Sequence, residues 1–171
     1  FNTKILYKED IDDVTTIPFL GLVGHESSSD NLIVDKNPRS AVSESFRTVR
    51  SNINFFTAEK TKKVILITSS ISGEGKTFCS INLSTVVALS GKKTVIVGAD
   101  LRRPKLFGDF GLTNDIGVSN YLINSATVDQ IIQSTSVENL DLISSGAVPP
   151  NPSELLMNKR MDMMIEELKK R

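Results

Sequence analysis

Apolar residues along the chain follow two alternating patterns, a recurrence every three or four positions and short continuous runs. These patterns are typical of amphipathic helices that alternate with buried strands. Residues 37–40, Asn-Pro-Arg-Ser, form a turn and a helix N-cap signal, and apolar residues then recur at helical spacing. The spacing predicts an amphipathic helix over 40–57. The recurring residues are Val42, Phe46, Val49, Ile53 and Phe56.

Two β-branched runs, 64–67 and 94–97, are bounded by polar residues and predict strands buried on both faces. Between them lie a Ser/Gly-rich loop and a predicted helix over 77–90, which Gly91 ends as a C-cap. Strand, loop, helix and strand make a βαβ unit. The short connections favour a parallel sheet with a right-handed crossover.

Beyond residue 100 the alternation continues with weaker signals. Short helices are predicted over 117–123 and 127–134, and a third parallel strand over 140–143. A terminal helix is predicted over 152–170, with Pro152 in its first turn. The predicted fold class is therefore α/β, a parallel sheet flanked by helices.

Composition narrows the range of functions. The chain has 171 residues, 39% of them hydrophobic and 23% charged, which fits a folded domain and excludes a disordered one. The formal net charge of zero argues against nucleic acid as a partner. The single cysteine, Cys79, excludes an internal disulfide, and no apolar run approaches the roughly 20 residues of a membrane span. The first residue is Phe1 rather than methionine, from which we expect a longer parent protein.

The charges are arranged in blocks. Residues 1–35 hold two basic and seven acidic side chains, and we interpret them as an N-terminal segment that leads into a domain at 36–171. Residues 36–63 hold seven basic and two acidic side chains, and residues 92–105 hold five basic and one acidic. Residues 106–158 hold six acidic side chains and no basic one. Together with the acidic residues 1–35, they balance the charge of the two basic blocks. The zero sum thus conceals two basic blocks.

The most specific motif is the loop at 68–77, Thr-Ser-Ser-Ile-Ser-Gly-Glu-Gly-Lys-Thr, between a predicted strand and a predicted helix. This is the context of a phosphate-binding loop, in which glycines let backbone N–H groups converge on an anion. Lys76 can bridge the β- and γ-phosphates, and the Thr77 hydroxyl can bind Mg²⁺. The strict GxxxxGK pattern has glycine where this chain has Ser70. The alternative is a tight turn beside an exposed lysine.

A second candidate is Asp100, just past the carboxyl end of the second predicted strand. Ligands of α/β proteins bind at that edge of the sheet. The carboxylate can bind the Mg²⁺ of a nucleotide or accept a proton from an attacking hydroxyl. Arg102 and Arg103 can contact phosphate or an acidic partner, and the alternative is a solvated turn.

A third candidate is the ExxRxxR pattern of Glu44, Arg47 and Arg50, which lies on one stripe of the first predicted helix. Spacing alone favours an ordinary intrahelical Glu44–Arg47 pair on a solvated face.

Taken together and in this order, these features resemble the bacterial tyrosine kinases of capsule and exopolysaccharide export. The segments IPFLGLV, ESFRTVRSNINF, ITSSISGEGKT, VIVGADLRRPKLF, GVSNYL and LISSGAVPPNPSELL carry the resemblance. It implies a P-loop NTPase-like fold that ends here before its Walker B strand and its C-terminal tyrosine cluster. It also implies an ATP-dependent tyrosine kinase that regulates polysaccharide synthesis, at the cytoplasmic face of the bacterial inner membrane.

The resemblance implies roles for particular residues. Lys76 and Asp100 would be catalytic, and Thr77 and Asp100 would bind Mg²⁺. Glu44, Arg47 and Arg50 would mediate assembly into a ring, in which a tyrosine-rich tail reaches the neighbouring protomer, and a membrane-embedded activator or an N-terminal transmembrane domain would be a further partner. ATP would be bound by Ser72, Gly73, Glu74, Gly75, Lys76, Thr77 and Phe78.

Two departures leave an alternative open, and one of them is the Walker B strand that this sequence does not reach. The family pattern after the second strand is DxD, and here Gly98 takes the place of the first aspartate. The chain could therefore be a catalytically weak ATP-binding module that oligomerises. The partition and septum-site ATPases are similar in fold, but they have a lysine where this chain has Ile71, and this favours the kinases.

Overall fold

The computed structural model describes residues 7–26, 30–57 and 62–171. Helices and short strands alternate along these residues. In chain order they are α1 Glu9–Asp12, α2 Ile33–Lys36, α3 Ala41–Phe56, α4 Lys76–Ala88, β1 Thr94–Val97, α5 Leu106–Asp109, α6 Val118–Leu122, α7 Val128–Ile131, β2 Ile132–Ser134, β3 Leu140–Ile143, α8 Pro152–Leu156 and α9 Lys159–Lys170.

The described strands form one sheet in the order β1, β3, β2. β1 and β3 are parallel, with Thr94 opposite Leu140 and Val97 opposite Ile143, as predicted for 94–97 and 140–143. β2 is antiparallel to β3. The helix predicted over 127–134 ends at Ile131, and its last three residues form β2 instead. The fold is α/β, as the sequence predicts.

The predicted buried strand at 64–67 is wrong. These residues form no strand, and Val64, Ile65 and Leu66 expose 60%, 47% and 84% of their surface. A strand needs a neighbour to satisfy its backbone, and within the described residues β1 is hydrogen-bonded to β3 alone. The β-branched composition indicated that the run could be buried, but no described strand pairs with it. The predicted βαβ crossover is therefore not closed into the sheet.

Helix α3 confirms the helix predicted over 40–57. Ser40 is its N-cap, and the Ser40 hydroxyl accepts a hydrogen bond from the Ser43 N–H at 3.1 Å. This bond satisfies one of the N–H groups that a helix start leaves unpaired. The apolar stripe of α3 faces α2 and α4, with Phe46 and Val42 buried between them.

Helix α4 is the centre of the packing, since it contributes to two clusters of buried side chains. Ile81 and Ala88 pack with Ile96 and Leu142 of the sheet. Leu83 and Val86 pack instead with Phe46 of α3 and with α2. The opposite face of the sheet is covered by α6 to α9, where Ile143 packs with Leu122 and Met164. The sheet thus has helices on both faces.

Two predicted segments differ in detail. The terminal helix predicted over 152–170 is divided into α8 and α9, because Asn158 adopts an extended conformation and caps α9 through a bond from the Arg160 N–H. In the N-terminal segment, Leu32, Ile33 and Val34 are buried. The predicted division at residue 35 stays a prediction. None of the helices described for this chain is long and apolar enough to cross a membrane.

Candidate functional site

The loop before α4 turns on two glycines in the left-handed region. Gly73 has φ +92° and Gly75 has φ +90°. A Cβ at either position would meet nothing within 4 Å, so backbone conformation rather than crowding requires glycine there. Ser70 is not among the described residues with positive φ, and it therefore fits where the strict pattern has glycine.

Side chains of the loop fold back onto its own backbone. Lys76, the first residue of α4, donates from Nζ to the Ser69 hydroxyl at 2.7 Å, and that hydroxyl donates to the Ile71 carbonyl at 2.8 Å. The Glu74 carboxylate accepts from the N–H groups of Ser70 and Ile71 at 2.9 and 3.2 Å. The ammonium group is therefore held over the loop. Ser69 was not predicted, and only its place inside the motif could have indicated it.

The first turn of α4 faces the loop with unpaired backbone N–H groups, as every helix start does. Within the described part of the chain, the Thr77 hydroxyl makes no hydrogen bond, which leaves it available to a ligand. The Phe78 ring lies 5.8 Å from the Phe46 ring and packs in the core, so Phe78 can offer a ligand only its backbone. Burial raises the pKa of the nearby Cys79 thiol, which keeps that group neutral.

Asp100 lies in a tight turn after β1. Its Oδ1 accepts from the N–H groups of Arg102 and Arg103 at 3.2 and 3.0 Å. Leu101 is 2% exposed and anchors the turn in the core on the α6 to α9 side of the sheet. Asp100 itself is exposed. One carboxylate oxygen is thus fixed by the backbone, and the group faces solvent.

The chain topology places Lys76 and Asp100 at the same end of the sheet. Helix α4 packs against β1, and a short connection with Gly91 at φ +80° turns the chain back between them. The start of α4 therefore lies toward the carboxyl end of β1. Among the described residues, no hydrogen bond or ion pair joins Lys76 or Thr77 to Asp100.

Arg102 connects the Asp100 turn to the start of α8. One of its Nη atoms donates to the Ser153 hydroxyl at 3.0 Å. Arg103 is exposed, and only its backbone N–H contacts Asp100. The two arginines that the sequence groups together therefore differ in role, because Arg102 ties two loops together and Arg103 is open to solvent.

The three residues of the ExxRxxR pattern are all engaged within the chain. Glu44 and Arg47 form an ion pair of 2.5 Å with side chains 64% and 33% exposed, a geometry worth about 0.3–0.5 kcal/mol. Arg50 donates to the Val86 carbonyl near the end of α4 at 2.8 Å. A cation at a helix C-terminus is favourable, so Arg50 stabilises the contact between α3 and α4.

A cavity of about 410 Å³ lies away from the loop, between the end of α3, residues 62–65 and α9. Its lining combines three lysines with apolar side chains. The lining residues are Ile53, Thr57, Lys62, Lys63, Val64, Ile65 and Lys169. None of the predicted site residues lines this cavity.

In the described part of the chain, no three His, Cys, Asp or Glu side chains are grouped so that they could hold a metal ion. This arrangement still fits Mg²⁺ with a nucleotide, because Mg²⁺ keeps several waters and uses one or two protein ligands beside the phosphates. The Thr77 hydroxyl and the Asp100 carboxylate are oxygen ligands of the suitable kind.

Curated relatives match most of this chain. The tyrosine-protein kinase YwqD of Bacillus subtilis (strain 168) is 39% identical over 137 residues, which is 80% of this chain and 58% of that protein. The putative tyrosine-protein kinase CapB of Staphylococcus aureus is 41% identical over 143 residues, 84% of this chain and 63% of that protein. The chain thus spans about three fifths of the length of these relatives. No family model matches it.

Solved structures are also similar to this chain. The crystal structure of the chimerical protein CapA2B2 has a TM-score of 0.86 and 38% identity, covering 95% of this chain and 70% of that chain. The MinD structure of Pyrococcus horikoshii, complexed with Mg-ADP, has a TM-score of 0.51 and 27% identity, covering 59% of this chain and 42% of that chain.

Proposed function

Because the chain belongs to the family of bacterial tyrosine kinases, we propose that it is the ATP-binding part of a protein-tyrosine autokinase. The observation that carries the proposal is the glycine loop before α4, over which Ser69 holds the ammonium group of Lys76. A helix start and a cation at that place form a site for phosphate groups.

Residues 72–78 would bind ATP. The positive φ angles of Gly73 and Gly75 turn the loop so that its N–H groups can point at phosphate oxygens. Ser72 and Glu74 are exposed on the loop. The Glu74 carboxylate already holds two loop N–H groups, so Glu74 would shape the loop, while Lys76 would neutralise the β- and γ-phosphates.

Thr77 and Asp100 would be the protein ligands of Mg²⁺, and Asp100 would also accept the proton of the attacking tyrosine hydroxyl. When bound there, Mg²⁺ would supply positive charge that offsets the charge of the phosphate groups. Asp100 suits both roles, because one of its oxygens is fixed by backbone N–H groups and the carboxylate is open to solvent. The tyrosine oxygen would attack the γ-phosphorus of ATP, so that the P–O bond of phosphotyrosine forms as the bond to the β-phosphate breaks, ADP leaves and the tyrosine proton passes to Asp100.

The family also suggests where such a kinase works. We propose that the substrate is a tyrosine-rich tail of a neighbouring protomer in a ring and that phosphorylation regulates capsule or exopolysaccharide synthesis and export. The ring would form through the α3 face that carries Glu44, Arg47 and Arg50. The cytoplasmic face of the inner membrane, with a membrane-embedded activator or an N-terminal transmembrane domain, is the corresponding location.

The test is autophosphorylation of the complete protein with Lys76→Met, followed with an antibody to phosphotyrosine. We expect the signal to fall by at least about a hundredfold, since a preorganised charge on the transferring group contributes about 3 kcal/mol or more. Lys105→Met, which removes an exposed lysine outside the loop, is the matched control and should keep the wild-type signal. An unchanged signal in Lys76→Met would contradict the role of Lys76.

One observation favours a second candidate, an ATP-binding module that assembles but transfers no phosphate. Gly98 is buried and replaces the first acid of the family pattern, so one carboxylate must do the work of two. The two candidates differ when the complete protein is incubated with ATP and Mg²⁺. Nucleotide binding without any phosphotyrosine supports the module, and phosphotyrosine that Lys76→Met abolishes supports the kinase.

A further inference from the structure

The Asp100 turn is in contact with the segment that follows β3. β1 and β3 are parallel, so their carboxyl ends lie at the same edge of the sheet. There the Ser145 hydroxyl lies 2.8 Å from the Gly98 carbonyl oxygen and 3.1 Å from the Asp100 carbonyl oxygen. Ser145 is 3% exposed, so water does not compete for these bonds. A hydroxyl outside the phosphate loop thus bridges the backbone on both sides of Ala99.

The bridge fixes the direction of the Asp100 side chain. A serine hydroxyl has one hydrogen, which it shares between the two carbonyls or gives to one of them at a time. Either way, the backbone at 98–100 is held while Oδ1 of Asp100 accepts from two N–H groups of the turn. Within the described residues, no hydrogen bond or ion pair uses the other oxygen, Oδ2. The turn therefore presents one free carboxylate oxygen in a set direction.

Ser145 itself is held by a rigid backbone. Gly146 has φ +75°, and its N–H and carbonyl both bond to the side chain of Asn114, at 2.9 Å each. On the other side, a Cβ at Gly117 would lie 2.1 Å from the Ser144 carbonyl oxygen, so these two backbones are in direct contact. This contact needs glycine at 117. The segments LISSG and GVSN, which contain no ionisable residue, together make a base for the Ser145 hydroxyl.

Gly98 is part of the same arrangement. A Cβ at position 98 would lie 3.0 Å from the Ser145 hydroxyl oxygen and 3.3 Å from the Ser145 backbone nitrogen. A side chain there would push the hydroxyl away from the carbonyls that it holds. The absence of a side chain at position 98 and the bridge made by Ser145 are therefore linked.

We propose that Ser145 is a positioning residue, whose hydroxyl holds the Asp100 turn so that the free carboxylate oxygen can meet Mg²⁺ on a bound nucleotide. The inference rests on the proposed function, since it takes Asp100 as a metal ligand. Ser145 acts through Asp100 and touches neither nucleotide nor metal. Ser145 lies in the LISSGAVPPNPSELL segment, and this part of the segment thereby has a role at the site.

The experiment measures the dissociation constant of a fluorescent ADP analogue with Mg²⁺ and with EDTA, on the complete protein. The dissociation constant in EDTA divided by the dissociation constant in Mg²⁺ is the ratio that reports how much the metal contributes to binding. Ser145→Ala is expected to reduce that ratio about fivefold, the effect of one ordinary hydrogen bond, while the constant in EDTA stays within about twofold. Ser43→Ala is the matched control, because Ser43 is 0% exposed and donates to the Asn37 carbonyl beside the start of α3, outside the segments that hold Ser145. It should keep the wild-type ratio.

Two further variants separate positioning from a loss of fold. Gly98→Ala leaves Ser145 in place but crowds its hydroxyl, and it should reduce the ratio in the same direction. In an Asp100→Asn background, Ser145→Ala should change the ratio no further, because the carboxylate that it positions is already gone. An additional loss in that background, or equal ratios for Ser145→Ala and Ser43→Ala, would overturn the proposal.

The failure of this inference can be distinguished from the failure of the proposed function. A wild-type protein that binds no nucleotide contradicts the proposed function, and the positioning role fails with it. A wild-type protein whose nucleotide binding depends on Mg²⁺ and on Asp100, but not on Ser145, contradicts the positioning role alone.

Discussion

The Asn82 side chain joins helix α4 to the segment before α3. Asn82 is fully buried in α4. Its Oδ1 accepts from the Val34 N–H at 2.9 Å, and its Nδ2 donates to the carbonyls of Asn31 and Phe78 at 2.7 and 2.9 Å. Every hydrogen-bonding group of the side chain is therefore used. Asn82→Ala removes all three bonds and leaves the Val34 N–H buried without its partner.

The cost follows from these contacts. A buried donor left without a partner costs about 1–3 kcal/mol, and each lost hydrogen bond contributes about 1 kcal/mol net. Because the partners at Asn31 and Phe78 are carbonyls that can find water or a second bond more easily, we expect a total loss of about 2–4 kcal/mol. At a urea m-value of about 2 kcal/mol/M, the unfolding midpoint falls by about 1–2 M.

The assay is urea unfolding followed by circular dichroism, with Asn52→Ala as the matched control. Asn52 is only half-buried, and one hydrogen bond is recorded for its side chain, from Nδ2 to the Leu20 carbonyl at 2.9 Å. Its loss should cost about 1 kcal/mol or less. A midpoint shift for Asn82→Ala no larger than that for Asn52→Ala would refute the reasoning, because Asn82→Ala removes more hydrogen bonds and leaves its partners more deeply buried.

Three further outcomes are expected. Thr85→Val should raise the free energy of unfolding by about 1 kcal/mol in the same assay, since in the described structure the buried Thr85 hydroxyl has no hydrogen-bond partner; a loss of stability would contradict this. Hydrogen bonds from Lys36 and from the Leu32 N–H hold the pKa of Asp30 below its ordinary value of 3.8. The contribution of these bonds to the free energy of unfolding is therefore present above pH 3.8 and is lost as the pH falls through the lower pKa of the folded state. Asp30→Asn should therefore make the free energy of unfolding depend less on pH at acid pH. An unchanged slope of that profile would contradict the role of the Asp30 carboxylate. Arg47→Ala should lower the oligomer mass measured by light scattering, and it is a cleaner probe than Arg50→Ala because Arg50 also bonds to the Val86 carbonyl; an unchanged mass would argue against an interface at Arg47.

The sequence predicts well those elements that depend on local signals. The apolar spacing and the Ser40 cap predict α3, and the β-branched run at 94–97 together with the apolar segment at 140–143 predicts a parallel pair. The same reasoning fails at 64–67. A β-branched run indicates that a segment could be buried, but it does not indicate which strand would pair with it. It also misses α2, whose buried Ile33 and Val34 lie in the acidic N-terminal segment, for which no helix was predicted.

The site was predicted only as far as its residues carry a recognisable chemistry. Lys76 and Asp100 stand out because lysine after paired glycines and an acid after a strand are typical of nucleotide sites. Ser69 and Ser145 do not stand out, because a serine in a loop has no distinctive spacing and its role depends on which carbonyl lies opposite it. Phe78 was predicted to bind nucleotide from its place in the motif, while its ring in fact packs on Phe46.

The pairing of β1 with β3 also has a consequence for the order of folding. Thr94 pairs with Leu140 across a long stretch of chain, whereas Ser134 pairs with Asp141 across a short one. Closing the longer loop costs more entropy, so the β2–β3 pair should form first. The Gly98 N–H, which donates to the Ile143 carbonyl, should accordingly gain protection later than the β2 amides in a pulse-labelling hydrogen-exchange experiment. The turn that carries Asp100 directly follows β1, so it would become fixed at the edge of the sheet only after β2 and β3 have paired.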